Sequence, residues 1–319
     1  MQELLKKSIS MNDILSLFVS KEAEIKDMYI KDAANIFITE KKIRNRNGTV
    51  SFYEDQLSRL IAYFEIKNVF KISQINKAVI NDFVNFQKAK GNTNTTINKY
   101  VGTIKTMIKY LEKNEYISPT GFSYDKLKET LPKIETVDES DLSRILKYSE
   151  TISVKSRLIL LILFSTGIRT NELCNIERCN IDFKDNNIYL TFTKSGYPRY
   201  APMMPEVADL IKKYLLENPT NSKYLFYQDD LPSAPMPHSC VRSVIARTKK
   251  ALNIEVLSAH KIRHLFATSL LRQGVDIKSV SKLLGHQDIR MTERYLDLTN
   301  QEVLAKGKLN NPLNLIKSS

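Results

Sequence analysis

Apolar residues recur at helical spacing through the first third of the chain. Leu57, Leu60, Ile61 and Phe64 share one side of a helix opened by Thr49 after Asn47-Gly48. Two more stripes follow. One runs from about Asn76 through Val79, Ile80, Phe83 and Phe86; the other is Ile97, Tyr100, Val101, Ile104, Ile108 and Leu111. The pattern stops near residue 118, where Ser118-Pro119-Thr120-Gly121 and Leu131-Pro132 read as an irregular connector. Thr136-Val137-Asp138-Glu139 is a T-x-x-E capping box that opens a new helix. The run Leu158 to Phe164 predicts a central core helix and is far short of the roughly 20 residues that span a bilayer. Between Ile181 and Met203, short β-prone runs alternate with turn signals, which predicts a small antiparallel sheet of two or three strands. Beyond 205 the chain reads helical, with breaks near 218–223, 229–237, 253–257, Gly274 and Gly285.

The predicted architecture is mainly α with a small antiparallel β-sheet in the second domain. Its parts are an N-terminal extension (1–36), a helical domain (37–117), a linker (118–135), a larger α+β domain (136–300) and a C-terminal tail (301–319). Leu304, Leu309, Leu313, Leu315 and Ile316 give the tail apolar anchors.

Composition fits two folded domains: 319 residues, 42% hydrophobic and 26% charged. Lys and Arg exceed Asp and Glu by 13, which favours a polyanionic partner. The excess is concentrated. Eight lysines lie between Lys67 and Lys109 against one acid, Asp82. Lys88, Lys90, Lys99, Lys105 and Lys109 are candidate nucleic-acid contacts; a solvated lysine face is the alternative. Asn12 and Asp13 interrupt any signal-like apolar stretch. Cys174, Cys179 and Cys240 form no metal-type CxxC pair, and an odd number argues against a disulfide framework. A reducing cytoplasm is the simplest address, with no membrane partner.

The chemistry gathers in the second domain. Three of the four histidines lie in two short polar clusters there. In Ser258-Ala259-His260-Lys261-Ile262-Arg263-His264, His260 and Arg263 project from one face of a helix opened by Ser258. His286 follows Leu283-Leu284-Gly285, and Tyr295 comes shortly after it. Upstream, Arg169 and Glu172 lie just past a helix break at Gly167. Taken singly, such an arginine is a cap, such a histidine is structural and such a tyrosine is packing. Together they suit a phosphodiester. Two arginines clamp phosphate oxygens through paired charged hydrogen bonds, and histidine donates to the same phosphate or moves protons near neutral pH. A tyrosine hydroxyl, with a reference pKa of about 10, is about 3 units from ionising at pH 7. That deficit is about 4 kcal/mol, which a cationic site offsets by stabilising the phenolate.

These residues resemble the tyrosine recombinases, or phage integrases, including the Xer-type enzymes, across about 136–300. Thr166-Gly167-Ile168-Arg169-Thr170-Asn171-Glu172-Leu173 is similar to the family's TGLRxxEL box, and Lys194 and Arg199 match its β-hairpin lysine element. Ser and Tyr replace the more usual small or basic residues around the Lys194 turn. His260, Arg263 and His264 match the H-x-x-R-H box, and His286 and Tyr295 match the LLGH…Y box. The basic helical domain resembles the family's core-binding domain in character and position.

The resemblance implies a site-specific DNA recombinase. Tyr295 would be the nucleophile, making a 3′-phosphotyrosyl bond. Arg169, Arg263 and His286 would hold the phosphate, Lys194 would protonate the leaving oxygen and His260 would assist at the tyrosine. Glu172 and Arg199 would support the site, with His264 a structural neighbour. No metal, cofactor or ATP is required. Partners would be double-stranded DNA recombination sites and three further protomers, as a homotetramer or with a paralogue. The protein would work at the nucleoid, its tail packing on a neighbouring protomer or closing its own domain. Integration, excision, resolution and inversion all fit. Type IB topoisomerase-like relaxation and a non-catalytic DNA-binding regulator are the alternatives. A metalloenzyme built on His260, His264 and His286 lacks a Cys or carboxylate ligand at matching spacing.

Overall fold

The structure is a computed structural model that describes residues 26–45, 47–129, 135–193, 196–293 and 295. The chain forms two compact units that divide between Pro132 and Lys133.

Among the described residues the first unit holds four longer helices: α1 (Ile30–Arg44), α2 (Asn47–Ile66), α3 (Lys77–Ala89) and α4 (Asn94–Lys113). Asn76 caps α3 by accepting the Val79 amide at 3.1 Å, and Thr93 caps α4 through the Thr96 amide at 3.3 Å. Each such cap is worth about 1 kcal/mol. The stripe predicted on α4 is buried throughout. Helix α2 starts at Asn47, two residues before the predicted opening at Thr49.

Two boundaries differ from those expected. Residues 30–36 are not part of an extension. Ile30, Ala33, Ala34 and Phe37 make one buried stripe, so α1 runs across the expected border at 36/37. Residues 118–129 are not a free linker. The Asn98 side chain accepts the Leu127 amide and donates to its carbonyl, both at 2.9 Å, and Phe122, Tyr124 and Leu127 pack on this unit's core. An amide that matches both backbone groups of one residue holds a segment as a strand neighbour would. Residues 1–25, 130–134 and the expected tail lie outside the described residues.

The second unit opens with α5 (Glu139–Ser149). Its N-cap is Asp138, which accepts the Ser140 amide at 2.8 Å; the box expected at Thr136 gives way to a carboxylate closer to the orphan amides. Helix α6 (Val154–Thr166) is apolar on nearly every side and packs against α8 (Pro205–Glu217), α9 (His238–Leu252) and α10 (Ala259–Arg272). Such a helix is stable only at the centre of a core. Between these lie α7 (Thr170–Cys174) and an antiparallel sheet of β1 (Ile181–Asp182), β2 (Asn187–Leu190) and β3 (Arg199–Pro202), in that order. Ile188 pairs with Ala201 and both are buried, so the sheet turns one face to the core. The stretch expected as a helix break at 229–237 holds a second ribbon, β4 (Tyr227–Gln228) with β5 (Leu231–Pro235). Pro232 and Pro235 hide it in the sequence, since proline is tolerated in a strand only at an edge. Helices α11 (Ile277–Leu284) and α12 (Arg290–Glu293) follow. Among the described residues no helix is long and apolar enough to cross a membrane.

Candidate active site

The site is assembled where α6 stops. Gly167 takes a left-handed backbone at φ +60, and a Cβ there would lie 2.4 Å from the Phe266 ring. Only glycine ends the helix this way so close to α10. The chain then places Arg169 as the N-cap of α7 and Glu172 one turn later. The Arg169 amide donates to Glu172 Oε2 at 2.8 Å, and its Nη1 donates to Oε1 at 3.1 Å.

Glu172 is the hub. Arg199, at the start of β3, donates to both its oxygens at 2.9 and 2.8 Å. The Glu172 side chain is 1% exposed. Burial pushes its carboxyl up, but the Arg199 bonds and charge, with the Arg169 amide and charge, outweigh this and hold it below the ordinary carboxylate value.

Arg263 comes from α10, whose N-cap Ser258 accepts the Lys261 amide at 3.2 Å, as the spacing predicts. It donates to the carbonyls of Gly167 at 2.8 Å and Leu284 at 2.5 Å. Arg169 also reaches Leu284 and Gly285 carbonyls, at 3.3 and 3.4 Å, and Arg199 Nε reaches Leu283 at 2.9 Å. The end of α11 therefore collects all three guanidinium groups. Gly285 allows this: its φ is +66, and a Cβ would lie 2.9 Å from Arg199 Nη1.

Among the described residues three arginines face one carboxylate, an excess of two positive charges. The excess registers on its neighbours. Burial, then the Arg169 charge, pushes Arg263 down to about 9. Burial, then Arg263, Arg169 and Arg199, pushes His286 down to about 3. A buried cluster with surplus cations is stabilised by an anion, and the forks of arginine suit phosphate.

Tyr295 completes the group. It is 4% exposed and packs with Ala267, Val280 and Leu284. Its hydroxyl lies 2.9 Å from His264 Nδ1. Its ring is stacked toward that of His286 at 6.3 Å, with 28° between the planes. His264, expected as a structural neighbour, thus lies at the tyrosine hydroxyl. His260 is exposed one turn earlier on α10.

The structure therefore brings together Arg169, Glu172, Arg199, Arg263, His264, His286 and Tyr295. Lys194 lies outside the described residues. Near it in sequence, the buried Thr193 hydroxyl donates to the Tyr197 carbonyl at 2.8 Å. Lys88, Lys90, Lys99 and Lys109 are exposed on the first unit and Lys105 is half-buried there. Sequence reasoning missed the carbonyls of Gly167, Leu284 and Gly285, whose only signal is glycine at two helix ends. It also missed Thr292, whose hydroxyl lies 2.6 Å from His286 Nδ1.

Residues 135–302, more than half of the chain, match the phage integrase family. The chain belongs to that family, the tyrosine recombinases. Residues 30–129 of this recombinase also match the phage integrase SAM-like domain. A tyrosine recombinase of Thermosipho africanus is 27% identical over 81% of this chain and 92% of its own length. Tyrosine recombinase XerA of Pyrococcus furiosus is 29% identical over 66% of this chain and 73% of its own. Among solved structures, a lambda integrase dimer bound to a COC′ core site covers 90% of this chain and 83% of its own at TM-score 0.69, with 16% identity. XerH site-specific recombinase bound to palindromic difH substrate, a post-cleavage complex, covers 81% and 79% at TM-score 0.67, with 19% identity. At these identities the likeness is one of fold.

Proposed function

We propose that this site-specific DNA recombinase cuts and rejoins strands through Tyr295, by way of a 3′-phosphotyrosyl intermediate. The observation that carries the reading is the convergence of Arg169, Arg199 and Arg263 at the end of α11, the first two bonded to buried Glu172, beside Tyr295 and His286.

A scissile phosphate supplies the negative charge that this cluster lacks. Arg169 and Arg263 exchange their backbone carbonyl partners for the nonbridging oxygens, and His286 donates to the same group. Glu172 and Arg199 keep the arginines in place. The Tyr295 oxygen attacks phosphorus in line, the bond to the 5′ oxygen breaks, and the hydroxyl proton passes to a histidine of the His260–His264 turn. Lys194 protonates the departing 5′ oxygen. The phosphotyrosyl bond conserves the energy of the phosphodiester, and a 5′-hydroxyl from a second duplex reverses the step. Exchange between two duplexes takes four protomers, either identical or shared with a paralogue, and the exposed lysines of the first unit hold the DNA backbone. Work on DNA places the protein in the cytoplasm, at the nucleoid.

The test begins with duplexes selected for binding from a random pool. Two copies of the selected site in a supercoiled plasmid are expected to yield recombinant products. Relaxation without recombinants would establish a topoisomerase-like activity instead, and binding with neither product a regulator.

A further inference from the structure

His286 has a partner that phosphate binding does not use. Its Nδ1 lies 2.6 Å from the hydroxyl of Thr292, a fully buried residue. The Thr292 carbonyl accepts the Tyr295 amide at 2.9 Å, and the Thr292 amide is itself fixed on the Ile289 carbonyl at 2.7 Å. One threonine is thus bonded both to the histidine and to the segment that carries the tyrosine.

A neutral imidazole has a single N–H, so its two nitrogens are a donor and an acceptor, never two donors. We propose that Thr292 is a positioning residue: it donates its hydroxyl hydrogen to His286 Nδ1 and so keeps the ring proton on Nε2, the nitrogen left to donate to a phosphate oxygen. The inference rests on the reading of His286 as a phosphate ligand given above. With the proton on Nδ1 instead, Nε2 would turn a lone pair toward a phosphate oxygen and repel it. The ring has no second proton to spare, because burial and the charges of Arg263, Arg169 and Arg199 hold it neutral. The tautomer therefore decides whether His286 is a ligand, and the partner of the other nitrogen decides the tautomer.

Nitrogen-15 NMR of the full-length, DNA-free protein labelled at histidine reads this directly, with His286→Asn used for assignment. Wild type is expected to show an unprotonated Nδ1 and a protonated Nε2 at His286. Thr292→Val, which keeps the shape and removes the hydroxyl, is expected to shift the ring toward the Nδ1-protonated form. It should slow covalent cleavage of nicked site DNA by about 10- to 100-fold, and Thr292→Ser should restore most of the rate and the wild-type spectrum. A wild-type ring protonated on Nδ1 overturns the proposal, whether or not the valine variant folds. So does a Thr292→Val protein with wild-type spectrum and rate. Absence of any adduct from wild type overturns the recombinase reading and the phosphate role with it, while the wild-type spectrum still decides whether Thr292 holds the tautomer.

Discussion

The hydroxyl of Tyr295 lies 2.9 Å from Nδ1 of His264, inside the second unit, with 4% of the tyrosine exposed. The DNA-free chain thus holds its proposed nucleophile on a histidine and away from solvent. His264→Phe keeps a ring in place and removes the bond, worth about 0.5–1.5 kcal/mol. Nitration of Tyr295 in the DNA-free protein, followed by peptide mass, is expected to rise about 2- to 10-fold. An unchanged rate would mean that packing alone holds the ring.

Among the described residues Glu172 is the one carboxylate bonded to both Arg169 and Arg199. Glu172→Gln leaves these arginines and Arg263 together without a counter-charge, and breaking a buried pair this way costs about 3–5 kcal/mol. The urea midpoint of the DNA-free protein is expected to fall accordingly. Sulfate or site DNA should recover part of the loss, because an anion replaces the missing charge.

Gly285→Ala adds a methyl where Arg199 lies and strains a left-handed backbone. The backbone strain costs about 1–2 kcal/mol, and the crowding about 1–3 kcal/mol more. Gly274→Ala, at φ +89 but in open space, carries the first cost alone. Denaturation midpoints of the two variants should differ by the second, and only Gly285→Ala should also lose DNA cleavage.

His286 sets a pH dependence. Its pKa falls from about 6.5 in an unfolded chain to about 3 in the native one. Below the higher value the unfolded chain takes up a proton that the native chain refuses, so stability present above pH 6.5 is lost as pH falls toward 3. Glu172, also lowered, acts in the same direction below the ordinary carboxylate range. Midpoints measured from pH 7.5 to 4 should drop more steeply for wild type than for His286→Asn.

What was legible in the sequence follows the range of the physics. Helical stripes, the three-strand turn pattern and the boxes around Arg169, Arg263, His286 and Tyr295 are local, and local spacing carries them. The buried stripe of α1 was equally local, but alanines at two of its four positions made it faint. The bidentate bond between Arg199 and Glu172 joins residues 27 positions apart, and His264 and Tyr295 are 31 apart. No spacing rule reaches that far. The carbonyls that hold the arginines belong to the backbone and leave no side-chain signature beyond the glycines at 167 and 285.

The measurement that tests the central claim most directly is covalent capture. Wild type and Tyr295→Phe are each incubated with the selected site DNA, nicked near the exchange point, denatured, and the attached residue located by mass spectrometry. The account predicts an adduct at Tyr295 in wild type, joined to a 3′-phosphate, and none in Tyr295→Phe. No adduct from wild type, or one that persists in Tyr295→Phe, would contradict it.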